Sequence, residues 1–166
     1  QTYTNFEFII VNDGSPDDSY IKVKKICDRD SRVKLINLSK NYGHHKAILT
    51  GLQNVSGDII WLIDIDLEEQ PEWIEKFWTH MKSNNSDVVY GKQQQRKGDL
   101  FEKLTGELYY MIMDNICDFK FQRNATTARL MTRDYVDSLT LFRESNPVLS
   151  GLWPIVGYKQ DAIMVK

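Results

Sequence analysis

The sequence predicts an α/β fold with a largely parallel sheet flanked by helices, and three observations predict it. Strand-like and helix-like segments alternate from Phe6 to Tyr90, the pattern of βαβ units with right-handed crossovers. The run Ile59-Ile60-Trp61-Leu62-Ile63 is continuously apolar, which reads as a buried parallel strand rather than a half-exposed one. Polar turns follow successive strands, where open α/β sheets bind their ligands.

In order, Phe6 to Val11 reads as a strand, and Asn12-Asp13-Gly14-Ser15-Pro16 as a turn into a helix carrying Tyr20, Val23, Ile26 and Cys27 at helical spacing. Val33 to Leu38 is the second strand and Ser39 to His45 a polar loop. Ala47 to Leu52 is a short helix. Ser56-Gly57 breaks the chain before the strand at Ile59. Pro71 suits a first helical turn, and Trp73, Ile74, Phe77, Trp78 and Met81 form the buried face of the helix that follows. Asp87 to Tyr90 is a strand, Lys92 to Asp99 a charged loop, and Leu100 to Ile116 a long helix. That helix has a wide apolar surface, read either as buried on two sides or as lying near a lipid. Ala128 to Met131 is a short strand, Thr132 an N-cap for Arg133 to Phe142, and Asn146-Pro147 the start of a last turn or helix. Ala162 to Lys166 is strand-like.

Composition narrows the function. The net charge is −2, so the basic excess of a nucleic-acid-binding domain is missing. Cys27 and Cys117 stand far apart, which fits a reducing compartment better than a disulfide scaffold. No apolar run approaches the length of a membrane span. The chain begins without Met and opens almost at once into a strand, so a longer parent protein, cut at both ends, is expected.

Three strand ends carry candidate chemistry. Asp64 and Asp66 follow the strand at Ile59. On an extended segment residues i and i+2 point the same way, so two carboxylates would face one ligand, and hard oxygens suit Mg²⁺ or Mn²⁺. The competing reading is a polar strand end before a helix N-terminus. Asn12-Asp13-Gly14-Ser15 offers a carboxylate and free N–H groups, or else an Asx turn. Lys40-Asn41-Tyr42-Gly43-His44-His45-Lys46 offers cations for a diphosphate, or is a solvated loop. The adjacent histidines lack an evident third partner, so zinc is not expected.

Taken together, Ile10-Val11-Asn12-Asp13-Gly14-Ser15-Pro16-Asp17, Leu38-Ser39-Lys40-Asn41-Tyr42-Gly43 and Ile63-Asp64-Ile65-Asp66-Leu67-Glu68-Glu69-Gln70-Pro71-Glu72 resemble the family 2 glycosyltransferases of GT-A fold. Further matches are Val88 to Gly91, Phe101 to Thr105, Ala128 to Met131 and Gly151 to Gln160. The branch that the chain resembles is the bacterial polyprenyl-phosphate glycosyltransferases, similar to dolichyl-phosphate mannose synthase. The resemblance implies one GT-A catalytic domain over residues 1–166, a Rossmann-like nucleotide-diphospho-sugar transferase with a mostly parallel mixed sheet. It implies an inverting transfer of sugar from a nucleotide-sugar donor, held by Asp13, Gly14, Ser15, Asn41, Gly43 and the Asp64-Ile65-Asp66 stretch. Asp64 and Asp66 would be the catalytic pair, with Mg²⁺ or Mn²⁺ on Asp66 and Glu68. Arg96, Lys103, Thr105 and Arg129 match positions associated with the acceptor phosphate. The expected setting is the cytoplasmic face of the cell membrane, with a membrane surface as partner of the full-length protein.

Departures from the family pattern matter. The opening nucleotide-pocket strand has no counterpart before Gln1, Gln93 and Gln94 replace arginines, and Thr127 stands where an aspartate is usual. A sugar hydroxyl needs a general base before it attacks. A monoalkyl phosphate, with a second pKa of about 6, is already an anion near neutral pH. Thr127 is therefore easier to reconcile with a polyprenyl-phosphate acceptor. A saccharide acceptor, with Asp99 or Glu102 as base, remains the alternative. A degenerate nucleotide-sugar-binding protein without turnover and a nucleotidyltransferase of similar architecture also remain open.

Overall fold

The computed structural model describes residues 5–93, 122, 124–144 and 146–165. The expected helix over Leu100 to Ile116, the loop from Gln94 to Asp99, and Cys117 lie outside the described residues. The chain divides into two compact units. One runs to Asp58 and includes Thr140–Val148; the other runs from Ile59 to Leu139 and resumes at Leu149.

In the first unit β1 (Phe8–Asn12) pairs in parallel with β2 (Val33–Asn37), in register from Phe8↔Val33 to Asn12↔Asn37. The crossover between them is α1 (Ser19–Cys27), and β2 leads to α2 (His44–Leu52). Ile48, Leu49 and Leu52 give α2 a buried face, whereas α1 buries no residue fully. The strand begins at Phe8 rather than Phe6. Glu7, just before it, accepts hydrogen bonds from Lys34 Nζ at 2.8 Å and Ser56 Oγ at 2.7 Å. The second helix begins at His44, earlier than its apolar residues announce, because Gly43 turns the chain at φ 96°.

The second unit contains β3 (Ile59–Leu62), α3 (Trp73–Asn84), β4 (Val88–Gln93), β5 (Ala125–Thr132), α4 (Arg133–Thr140, whose last residue falls in the first unit), α5 (Leu149–Ile155) and β6 (Gln160–Val165). Its four strands lie in the order β3-β5-β4-β6. β5 is antiparallel to both β3 and β4, while β4 and β6 are parallel. The sheet is therefore mixed and less parallel than the alternation of elements suggests. Periodicity marks a strand without giving its direction, and β5 is the strand that reverses.

On one face of this sheet Phe77 and Met81 of α3 pack against Val89, Ala128, Leu130, Ile163 and Val165, with Trp61, Ile63, Trp73, Ile74 and Trp78 partly buried around them. These include all five residues read as the apolar face of the helix. Strand side chains alternate, so Val88, Arg129 and Met131 turn the other way, where α4 and α5 bury Tyr135, Val136, Leu139, Leu149, Leu152 and Trp153. β3 corrects the expectation for its apolar run. It is the terminal strand of the four, it pairs antiparallel, and Ile59 is exposed while Ile60 is buried.

Candidate active site

β3 ends at Leu62, so Asp64 and Asp66 lie beyond the strand rather than on it. They lie in a loop that reaches α3. Asp64 is half-buried, and Asp66 and Glu68 are exposed. Asp66 Oδ1 accepts the Glu68 N–H at 3.0 Å, a local Asx-type turn. Leu67 follows at φ 68°, in the left-handed region that a side chain seldom adopts. Ile65 and Leu67 are 82% and 88% exposed, so neither anchors the loop by packing.

One anchor is Glu69, which sequence reasoning missed. It is 7% exposed. Its Oε2 accepts the Asp64 N–H at 2.9 Å and its Oε1 the Ala128 N–H at 2.7 Å. Burial pushes its pKa up, and the two backbone donors pull it down in part. The Ala128 amide is available because β5 bulges there. Between the pairs Tyr90↔Arg129 and Lys92↔Ala125, β4 runs through Gly91 alone while β5 runs through Thr126, Thr127 and Ala128. An acidic residue just before Gln70-Pro71 looks like a helix-start solvent residue, and no periodicity reveals that it turns inward.

Among the described residues no three His, Cys, Asp or Glu side chains converge as a metal cage. A Mg²⁺ or Mn²⁺ bridging a diphosphate does not require one. Such ions keep several waters and take one or two carboxylates together with substrate phosphate oxygens. Asp66, exposed in a loop with Asp64 and Glu68 beside it, fits that arrangement.

In the first unit the strand-end loops are tied to each other. Asn12 Nδ2 donates to Asn37 Oδ1 at 2.7 Å, across paired strand ends. Asp13 accepts the Tyr42 N–H at 2.7 Å and the Gly43 N–H at 2.9 Å, one on each carboxylate oxygen. A base or ribose would have to use its remaining lone pairs. Gly14 has φ 66°, and a Cβ there would lie 2.4 Å from the Lys40 carbonyl carbon. That contact and the Asp13 bonds bring Asp13, Gly14 and Ser15 beside Asn41 and Gly43. His44 and His45 stand on the first turn of α2, not on a loop, with ring centroids 5.6 Å apart. Burial, and the neighbouring His44, lower the His45 pKa.

Of the four residues expected at the acceptor, Arg96, Lys103 and Thr105 lie outside the described residues. Arg129 is fully buried on β5. Its guanidinium carbon lies 3.4 Å from the Trp153 ring centroid and 5.1 Å from that of Tyr90. None of its nitrogens has a hydrogen-bond partner among the described residues. As placed, it touches no solvent from which an acceptor would arrive.

The description glycosyl transferase family 2 matches residues 1–142. A protein of Mycobacterium tuberculosis (strain CDC 1551 / Oshkosh) described as "Putative glycosyltransferases" is 41% identical over 159 residues, 96% of this chain and 46% of that protein. A "Prophage bactoprenol glucosyl transferase homolog" of Escherichia coli (strain K12) is 30% identical over 162 residues, 95% of this chain and 51% of its own length. The chain thus spans about half the length of the curated relatives it matches. Among solved structures, S. aureus TarS 1-349 superposes with a TM-score of 0.62 at 15% identity, over 98% of this chain and 50% of that one. That likeness is one of fold, and it agrees with the α/β GT-A fold expected from the sequence. With the match running over residues 1–142, across both compact units, this chain belongs to glycosyl transferase family 2.

Proposed function

We propose that the protein carrying this chain transfers a sugar from a nucleotide-diphosphate donor to a polyprenyl phosphate, with inversion, at the cytoplasmic face of the membrane. The observation that carries the acceptor is the relative named a bactoprenol glucosyl transferase homolog, aligned over 95% of the chain. Thr127, in place of an aspartate, supports it, because an acceptor that is already anionic needs no base. We read the two units as parts of one catalytic domain, since the family match crosses their boundary. No described helix is long and apolar enough to cross a membrane.

In this reading Asp66, with Asp64 and Glu68 beside it, would hold a divalent cation. When bound, the ion supplies Lewis-acid neutralisation of the leaving nucleoside diphosphate. Asp64 keeps its place through its own backbone N–H on Glu69, and the Asp66 turn presents its carboxylate to solvent. The Asp13, Gly14 and Gly43 loops would line the nucleotide.

The test is a donor screen on the full-length protein, following nucleoside diphosphate release with Mg²⁺ or Mn²⁺, with and without polyprenyl phosphate. Metal-dependent release that polyprenyl phosphate stimulates is expected, and Asp66→Asn should abolish it while leaving the fold intact. Release that ignores the lipid, or normal turnover of Asp66→Asn, would refute the proposal.

A further inference from the structure

We propose that Glu69 is a positioning residue. It fixes Asp64 and Asp66 relative to β5 and thereby sets the affinity of their loop for a divalent cation with a nucleoside diphosphate. This rests on the metal-assisted reading above.

The geometry behind it is a single carboxylate joining two elements. One oxygen takes the N–H of Asp64, at the start of the loop, and the other takes the N–H of Ala128, in the β5 bulge. The ladder between β3 and β5 ends at the pair Leu62↔Arg129. The Glu69 side chain thus takes up an amide just beyond the point where strand pairing stops. It holds the departing chain to the sheet in place of a strand.

The apolar side chains of the loop do not hold it by packing. Ile65 and Leu67 point their apolar side chains into solvent. The Asp66 to Glu68 bond lies within the loop and ties it to nothing outside. Leu67 sits at φ 68°, a conformation that costs energy in a side-chain-bearing residue and persists only where the surroundings impose it. Remove the bridge, and the loop is free to relax from that conformation.

The bridge is chemically specific. Both partners are donors, so both Glu69 oxygens must accept. A glutamine offers one acceptor and one NH₂, which would face a backbone N–H. An aspartate keeps both acceptors but is a methylene too short to reach both amides without moving the loop. Substituting groups that orient metal ligands typically costs about 10–100-fold in metal affinity.

The experiment titrates Mn²⁺ into the full-length protein in the presence of UDP or GDP and follows the ion by electron paramagnetic resonance. Glu69→Gln and Glu69→Asp are compared with the native protein, with thermal unfolding recorded in parallel. About tenfold weaker Mn²⁺–nucleotide binding by Glu69→Gln is expected, with a changed Mn²⁺ spectrum and a cooperative unfolding transition retained. Should Glu69→Gln fail to fold, Glu69→Asp decides, with binding weakened at least severalfold expected. Native-like affinity and spectrum in the folded variants would overturn the inference while leaving the metal reading intact. Native protein that binds no Mn²⁺ with either nucleotide would overturn both.

Discussion

Arg129 shows how far a single residue can depart from what its type suggests. An arginine near a phosphate-using site is ordinarily read as an anion ligand, and this one is fully buried between two aromatic rings. Stacking on a desolvated indole is worth about 2 kcal/mol, which offsets only part of the cost of burying a charge that has no hydrogen-bond partner among the described residues. Burial pushes its pKa down to about 9, so it is still charged at neutral pH. Replacing even a buried ion pair by well-packed apolar groups is often neutral or stabilising, by about 1–4 kcal/mol, and a buried charge without a hydrogen-bonded partner has less attraction to lose. Arg129→Met should therefore unfold at a temperature equal to or above that of the native protein at pH 7. The sign of the pH effect follows. The folded pKa lies below the unfolded one, so the native penalty is fully present below about 9 and is relieved as pH rises through it. The advantage of Arg129→Met should shrink above that pH in calorimetric scans of the two proteins. A large loss of stability at pH 7 would mean that the guanidinium has a strong partner after all.

At the scale of elements, the bulge in β5 links packing to the site. Gly91 faces the extra residues of the bulge, and a Cβ there would lie 2.4 Å from Thr126 Oγ1 and 3.3 Å from Val165 Cγ2. Gly91→Ala should cost about 1–3 kcal/mol as overpacking, read as a lowered denaturant midpoint with an unchanged slope. Adding Thr126→Ala should restore part of that loss, and a purely additive double mutant would show that the clash is not with Thr126. The same region marks where sequence reading ends. The apolar face of α3 was legible because Trp73, Ile74, Phe77, Trp78 and Met81 recur at helical spacing. The strand at β5 was legible only from Ala128 to Met131. Thr126 and Thr127 carry no apolar alternation, and their place in the strand is set by β4. Glu69 was illegible for a related reason. Its partners are two backbone N–H groups, which leave no trace in residue identity.

At the scale of the molecule, order along the chain was legible and the division of stability was not. The strand-end loops at Asp13, Asn41 and Asp64 appear in sequence as three motifs, yet they rest on unequal supports. Among the described residues, those the first unit buries are Ile48, Leu49 and Leu52 of α2, with Asn12 and Pro147, and α1 adds none. The second unit buries Phe77, Val88, Val89, Ala128, Met131, Tyr135, Val136, Leu139 and Leu149 to zero exposure. Local opening free energy follows buried apolar contact, so amides of β1 and β2 should exchange through lower-energy openings than those of β4 and β5. Native-state hydrogen exchange measures this directly, and uniform protection across both units would refute it. Acid should widen the gap. Glu7, bonded to Lys34 and Ser56, has its pKa lowered from 4.5 to about 2. Its stabilising effect is full above 4.5 and is lost as pH falls towards 2. Protection in β1 and β2 should therefore decline across that range before protection in β4 and β5 does. Glu7→Gln, which has no proton to gain, should make the first unit less protected at neutral pH and flatten its response to acid.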